Sequence, residues 1–193
     1  MNYKEWLSAA AIILTAIAYY PFIRAIYQDK VRPHVFSWII WGCTTIIAFF
    51  AQVQDNGGAG AIPIGISGII TIFVAWLAYS KRSDLTIQKP DWFFLILALS
   101  SLPLWYFTSD PLWAVILLTA ADILGFGPTL RKAYYFPWEE DLTFYTLFTI
   151  RNAMAIVALE NYSITTMLFP VAISFSTIIL IVVLIIRRST LKG

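Results

Sequence analysis

What most limits the fold of this chain is a succession of apolar stretches, each near the length a helix needs to cross a bilayer. About 20 apolar residues span the hydrocarbon core as an α-helix. Seven stretches reach or approach that length, at about residues 5–27, 34–54, 61–80, 91–108, 111–132, 142–160 and 164–187, the fourth being the shortest. The breaks between them are chemically marked. Residues 28–33 are charged and end in proline, residues 55–60 read DNGGAG, residues 81–90 carry four charges, and residues 109–111 form a Ser-Asp-Pro turn. With 60% hydrophobic and 12% charged residues, the chain lacks the polar surface of a soluble domain. An all-α membrane protein with seven transmembrane helices is therefore expected. Residues 7–26 are expected to stay as a membrane helix, because the start lacks the basic segment of a cleaved signal.

The basic residues sort by loop. Arg24, Lys30 and Arg32 follow the first span, Lys81, Arg82 and Lys89 the third, Arg131 and Lys132 the fifth, and Arg187, Arg188 and Lys192 the seventh. Eleven of the 13 thus fall on one side; Lys4 is on the other and Arg151 lies within a span. The positive-inside rule then puts the N-terminus outside and the C-terminus in the cytoplasm of a plasma (inner) membrane. An odd number of spans agrees.

The chain also nearly repeats itself after 107 residues. Trp6 recurs as Trp113, Pro21 as Pro128, Arg24 as Arg131, Tyr27 as Tyr134, Pro63 as Pro170 and Ser67 as Ser174, all without a gap. Spans one to three match spans five to seven, which divides the chain into a first three-helix repeat (1–83), a linker helix (84–109) and a second three-helix repeat (110–193). Three helices alone would invert the second repeat. The extra span restores its direction, so two parallel three-helix bundles are expected.

This three-plus-one-plus-three plan, with a proline in the first helix of each triple, resembles the PQ-loop superfamily and its SWEET-like (MtN3) transporters. PFIRAIYQDKVRPHVFSW at 21–38 and PTLRKAYYFPWEEDLTFY at 128–145 carry the resemblance. Each has the proline, a basic residue three positions on, a short polar loop, and a hydroxyl residue, Ser37 or Thr143, opening the next helix. Phe22 and Thr129 stand where the family's name-giving glutamine follows the proline. The resemblance implies a solute path between the two bundles, with Pro21, Pro63, Pro128 and Pro170 as hinges. Proline removes an amide donor and clashes with the preceding turn, so it can bend a helix or merely shape a static one.

Several residues could contact a solute. Asp122 and Arg151 are the ionisable residues well inside expected spans, where charge is costly and faces a partner or an aqueous cavity. They could form a polar or proton-linked site, or an ion pair joining spans five and six; Arg151 could also snorkel to the outer face. Asn152 can both donate and accept. The repeat mates of Asp122 and Asn152 are Thr15 and Thr45, so the halves differ in polarity. Trp38 and Trp41 share a helix face, and their mates are Tyr145 and Phe148. These four aromatics could stack on a flat ring, Trp41, one turn deeper, being the better ligand contact, and the W-x-x-W spacing of Trp38 and Trp41 loosely resembles the nicotinamide riboside facilitators, which share the three-plus-one-plus-three plan. Trp38 reads instead as an interfacial anchor, as do Trp6, Trp76, Trp92, Trp105, Trp113 and Trp138. Ser67 and Ser174, with Thr71, Ser176 and Thr177, put hydroxyls on the third helices, to line a path or join helices.

Gln52, Gln54, Asp55, Glu160 and Asn161 read as solvated helix ends on the outer side, and Glu139, Glu140 and Asp141 suit the start of span six. Asn161-Tyr162-Ser163 matches a glycosylation sequon.

Other chemistries are set aside. His34 and Cys43 are the only histidine and cysteine, so neither a zinc cluster nor a Ser/His/Asp triad is expected. The glycines at 57–60 precede no Gly-Lys-Ser/Thr, and span seven has no lysine for a retinal Schiff base. No enzyme activity, cofactor, metal or nucleic-acid partner is implied. The expected partners are a small-molecule solute and the lipid bilayer, with a homo-oligomer left open. The first functional reading is a small polar solute transporter or facilitator using alternating access, passive or proton-linked. The second is a non-transporting membrane receptor or sorting protein on the same fold. The third is a subunit or chaperone within a larger membrane complex.

Overall fold

The computed structural model describes residues 2–30, 33–83, 85, 87, 89–138 and 140–191; the side chains of Pro90, Asp91, Pro128 and Lys132 are outside the described set. Among the described residues the chain is all-helical, without strands. Its seven α-helices are α1 (Tyr3–Tyr27), α2 (Val35–Gln54), α3 (Ile62–Ser80), α4 (Lys89–Thr108), α5 (Pro111–Tyr135), α6 (Leu142–Val157) and α7 (Ile164–Thr190), and a 3₁₀ turn, Gly58–Ala61, leads into α3.

Local chemistry sets the ends. Asn2 and Glu5 form a capping box on α1, each side chain bonding the other's backbone N–H at 3.0 and 3.1 Å. His34 caps α2 and Asp141 caps α6, positions that are themselves 107 residues apart. Ser163 and Thr166 form the box that starts α7. Asp29, Asn56 and Arg82 take left-handed backbone just past α1, α2 and α3. Each lets the next N–H turn back to a carbonyl five residues earlier: Lys30 to Ala25, Gly57 to Gln52, Ser83 to Ala78.

All seven expected stretches are helical, but they are not equal. Five helical segments, Tyr3–Tyr27, Val35–Gln54, Gly58–Ser80, Pro111–Tyr135 and Ile164–Thr190, are long and apolar enough to cross a membrane. The apolar part of α4, Trp92–Thr108, and α6, Leu142–Val157, are shorter. The sixth stretch was expected to run to residue 160. It ends at Val157, because the following residues turn aside to bond the loop after α2: Glu160 N–H donates to the Gly57 carbonyl at 3.1 Å.

Packing follows a consistent pattern. α3 packs against both α1 and α2, and α7 against both α5 and α6; α1 meets α6, α2 meets α5, and α4 lies on α5 and α2. Polar groups are turned inward. Thr15, Thr44, Gln52, Ser67, Asp122 and Arg151 are buried, while Ile13, Ile17, Ile69, Phe175 and Ile185 are exposed. Trp6, Trp76, Trp92, Trp113 and Trp138 are exposed as well.

Pro21 and Pro170 interrupt α1 and α7 from within. Pro63 instead occupies the first turn of α3, where a missing N–H leaves no helical bond unmade. It does not break a helix there. Pro128 lies in α5, with its side chain outside the described set.

Candidate functional site

A cavity of about 360 Å³ lies where six of the helices meet. Its walls come from α1, α2, α3, α5, α6 and α7; among the described residues α4 supplies none. The volume is at the small end of the range for small-molecule sites, roughly 300–1,000 Å³.

One end of the cavity is sealed. Ile64 and Phe169, both buried, form its floor and belong to a cluster with Ile47, Ala48, Ala51, Ala114, Val115, Leu118 and Ala155. Small residues in this cluster, Ala48 and Ala51 on α2 and Ala114 on α5, let these two helices approach closely. Beyond it, polar contacts join the loop after α2 to the loop before α7. The Ser163 hydroxyl bonds the Asp55 carboxylate, Asn161 Nδ2 donates to the Asp55 carbonyl at 2.8 Å, and Lys4 Nζ donates to the Leu159 carbonyl at 2.6 Å. Gln52, 1% exposed, donates from Nε2 to the Thr166 carbonyl at 2.6 Å. Gln52, Asp55 and Asn161 are thus interlocked, not solvated ends, whereas Gln54 and Glu160 are exposed as expected. The amide of Asn161 in the sequon is already engaged.

The other end is open. Pro21 and Asp141, both exposed, line the mouth together with Ala25, Thr129 and Glu140. Here polar ties run from α3 to α1 and from α7 to α5. Lys81 Nζ donates to the Tyr27 carbonyl at 3.0 Å, joining α3 to α1. Arg187 Nε donates to the Tyr134 carbonyl at 2.8 Å, joining α7 to α5.

Aromatic rings make most of the wall. Phe22 stacks on Trp38 at 5.0 Å between centroids, Trp38 meets Trp41 edge-on at 5.7 Å, and Phe144 stacks on Phe148 at 5.8 Å. Trp38, read from sequence as an interfacial anchor, is a half-buried wall residue held by Phe22 and Tyr19.

The polar centre is Arg151, 2% exposed. Its Nη2 donates to Ser67 Oγ at 2.9 Å, and its guanidinium carbon lies 4.4 Å from the Phe148 ring centroid. Nε and Nη1 have no partner among the described residues. Burial at this depth excludes the snorkelling expected as one option. The ion pair with Asp122 does not form either; among the described residues Arg151 has no carboxylate within ion-pair distance. Tyr19 extends the polar line, its hydroxyl 3.0 Å from Thr71 Oγ1 and 3.5 Å from Ser67 Oγ. Asp122 is 7% exposed, faces Thr44, and keeps Oδ1 unpartnered. Asn152, 2% exposed, keeps Nδ2 unpartnered.

The cavity therefore brings together Trp41, Ser67, Asp122, Tyr145, Phe148, Arg151 and Asn152 from the sequence-derived set. Tyr145 bonds Glu140 Oε2 at 2.8 Å. Ser174 is not among the lining residues; its hydroxyl donates to the Pro170 carbonyl one turn back at 2.7 Å. The third-helix hydroxyls that do line the cavity are Ser67, Thr71 and Thr177, and Thr177 also meets Thr149 at 2.7 Å. Sequence reasoning missed Tyr19, Phe126 and Phe144. A signal for the first two existed, since they are 107 residues apart. Five such pairs line the cavity on both sides: Tyr19 and Phe126, Phe22 and Thr129, Trp38 and Tyr145, Trp41 and Phe148, Thr45 and Asn152.

No group of three or more His, Cys, Asp and Glu residues that could hold a metal is present among the described residues. The chain matches no family model, no curated protein and no solved structure.

Proposed function

We propose that this chain is a multi-pass membrane carrier for a small polar solute, built on the PQ-loop and SWEET-like plan. α1–α3 and α5–α7 act as two parallel three-helix bundles, with α4 as linker. The observation that carries this reading is a cavity between matched helices that is closed at one end and open at the other. Three further observations support it. Equivalent helices pack equivalently: α3 on α1 and α2, α7 on α5 and α6. Five offset pairs face one another across the cavity. Polar residues are inside and large apolar ones outside, as a lipid solvent favours.

Arg24, Lys30, Lys81, Arg131, Arg187 and Arg188 fall at helix ends on the side of the mouth, so by the positive-inside rule this is an inward-open state with the C-terminus cytoplasmic. The ties of Asp55 to Ser163 and of Lys4 to Leu159 hold the bundles together outside. Rocking of one bundle on the other would part them and close the mouth on Phe22, Trp38 and Phe144.

The test is flux. Purified protein in liposomes is expected to move at least one solute, saturably, from a panel of sugars, nucleosides, vitamins and amino acids. Failure to move any removes the carrier reading. Saturable binding without movement would instead establish the receptor or sorting reading.

A further inference from the structure

Among the described residues, four buried polar atoms that line one cavity lack partners, and two of the groups involved are of opposite character. Arg151 offers unmet donors at Nε and Nη1, Asn152 at Nδ2, and Asp122 an unmet acceptor at Oδ1. A buried cation and a buried carboxyl that line one cavity without pairing form an uncommon arrangement, because pairing them would relieve both.

We propose that this cavity takes a zwitterion, its carboxylate seated on Arg151 and its ammonium group on Asp122. The proposal rests on the carrier reading of the same cavity and names the substrate class.

Each part of the solute has a reason. A guanidinium in a low-dielectric site is neutralised only by an anion, and its planar edge matches the two oxygens of a carboxylate. Ser67 uses one Nη2 proton, so a two-pronged edge remains. Asn152 Nδ2 can add a third donor to the same group. An anion alone would leave Asp122 unmet. A cation alone would leave Arg151 unmet. An ammonium donates to Oδ1, and the rings of Trp41 and Phe148 suit both a cation and a flat substituent.

The experiment is equilibrium binding to purified protein with three matched sets. Glycine is compared with methylamine and acetate, leucine with isoamylamine and 4-methylpentanoate, and phenylalanine with phenethylamine and 3-phenylpropionate. The zwitterion of at least one set, foremost phenylalanine, is expected to bind about tenfold or more tighter than its amine and its acid. Arg151→Gln is expected to weaken the zwitterion and the acid while leaving the amine within about twofold; Asp122→Asn should do the reverse. Arg151→Lys, which keeps the charge without the fork, should recover part of the loss and guards against a folding defect in Arg151→Gln. The proposal is overturned if no zwitterion is preferred over its amine and acid, or if both variants weaken all three ligands alike. Flux of glucose without zwitterion binding would overturn it and leave the carrier standing. Zwitterion binding without flux would do the opposite.

Discussion

Arg151 reaches from α6 to donate a 2.9 Å hydrogen bond from Nη2 to Ser67 Oγ on α3. It is the one direct hydrogen bond of the buried guanidinium among the described residues. Ser67→Ala removes it and leaves all three guanidinium nitrogens unmet. A loss of about 1–3 kcal/mol in stability is expected, read as a fall in thermal midpoint in detergent or nanodiscs. Ser67→Thr should retain most of it.

Ser174 is the repeat mate of Ser67 but bonds only its own helix. Ser174→Ala is expected to change stability by less than about 0.5 kcal/mol and to leave solute binding intact. An effect as large as that of Ser67→Ala would place Ser174 in the site after all.

Gly60 sits where the turn before α3 crosses the end of α6. A Cβ there would lie 2.5 Å from the Ala155 carbonyl oxygen and 2.5 Å from the Leu159 nitrogen, both backbone atoms that cannot swing away. Gly60→Ala is expected to destabilise by about 1–3 kcal/mol or more. Gly125, in α5, would meet only Trp41 Nε1 at 3.9 Å. Gly125→Ala is expected to raise stability by about 0.5–1 kcal/mol. Thermal unfolding of the two variants should therefore move in opposite directions.

The closed end depends on Asp55, which meets Ser163 through its carboxylate and Asn161 through its carbonyl. Asp55→Ala removes the first contact and should favour opening at that end. A cysteine at Ile64, on the cavity floor, in a Cys43→Ser background reports on this. Its modification by an impermeant thiol reagent applied from the α6–α7 loop side is expected to rise several-fold on adding Asp55→Ala. Unchanged labelling would show that the apolar cluster alone seals the floor.

The seven helices were legible because they are written in the length of the apolar stretches. The helix ends follow from local chemistry at Asn2, His34, Asp141 and Ser163, and the breaks from polar turns. Seven of eight proposed contacts line one cavity because buried charge and repeated rings constrain where a residue can sit. What escaped was relational. Trp38 near a helix end has the sequence signature of an anchor, and only the stacking of Phe22 from another helix makes it a wall. Gln52 and Asp55 look like helix-end polar residues until α7 and its preceding loop supply their partners. Ser174 shares its mate's sequence context, but α7 starts five residues before the position matched to Ile62, where α3 starts, and the hydroxyl bonds back to Pro170.

Among the described residues, the charged ones that line the cavity, Asp122, Glu140, Asp141 and Arg151, all come from the chain beyond residue 110. The positions matched to them in the first half hold Thr15, Pro33, His34 and Thr44. A cavity walled by two equivalent halves would accept a solute equally well turned end for end. With every charge among the described lining residues contributed by one half, that degeneracy is lifted, and in the proposed carrier a polar solute would take a single heading.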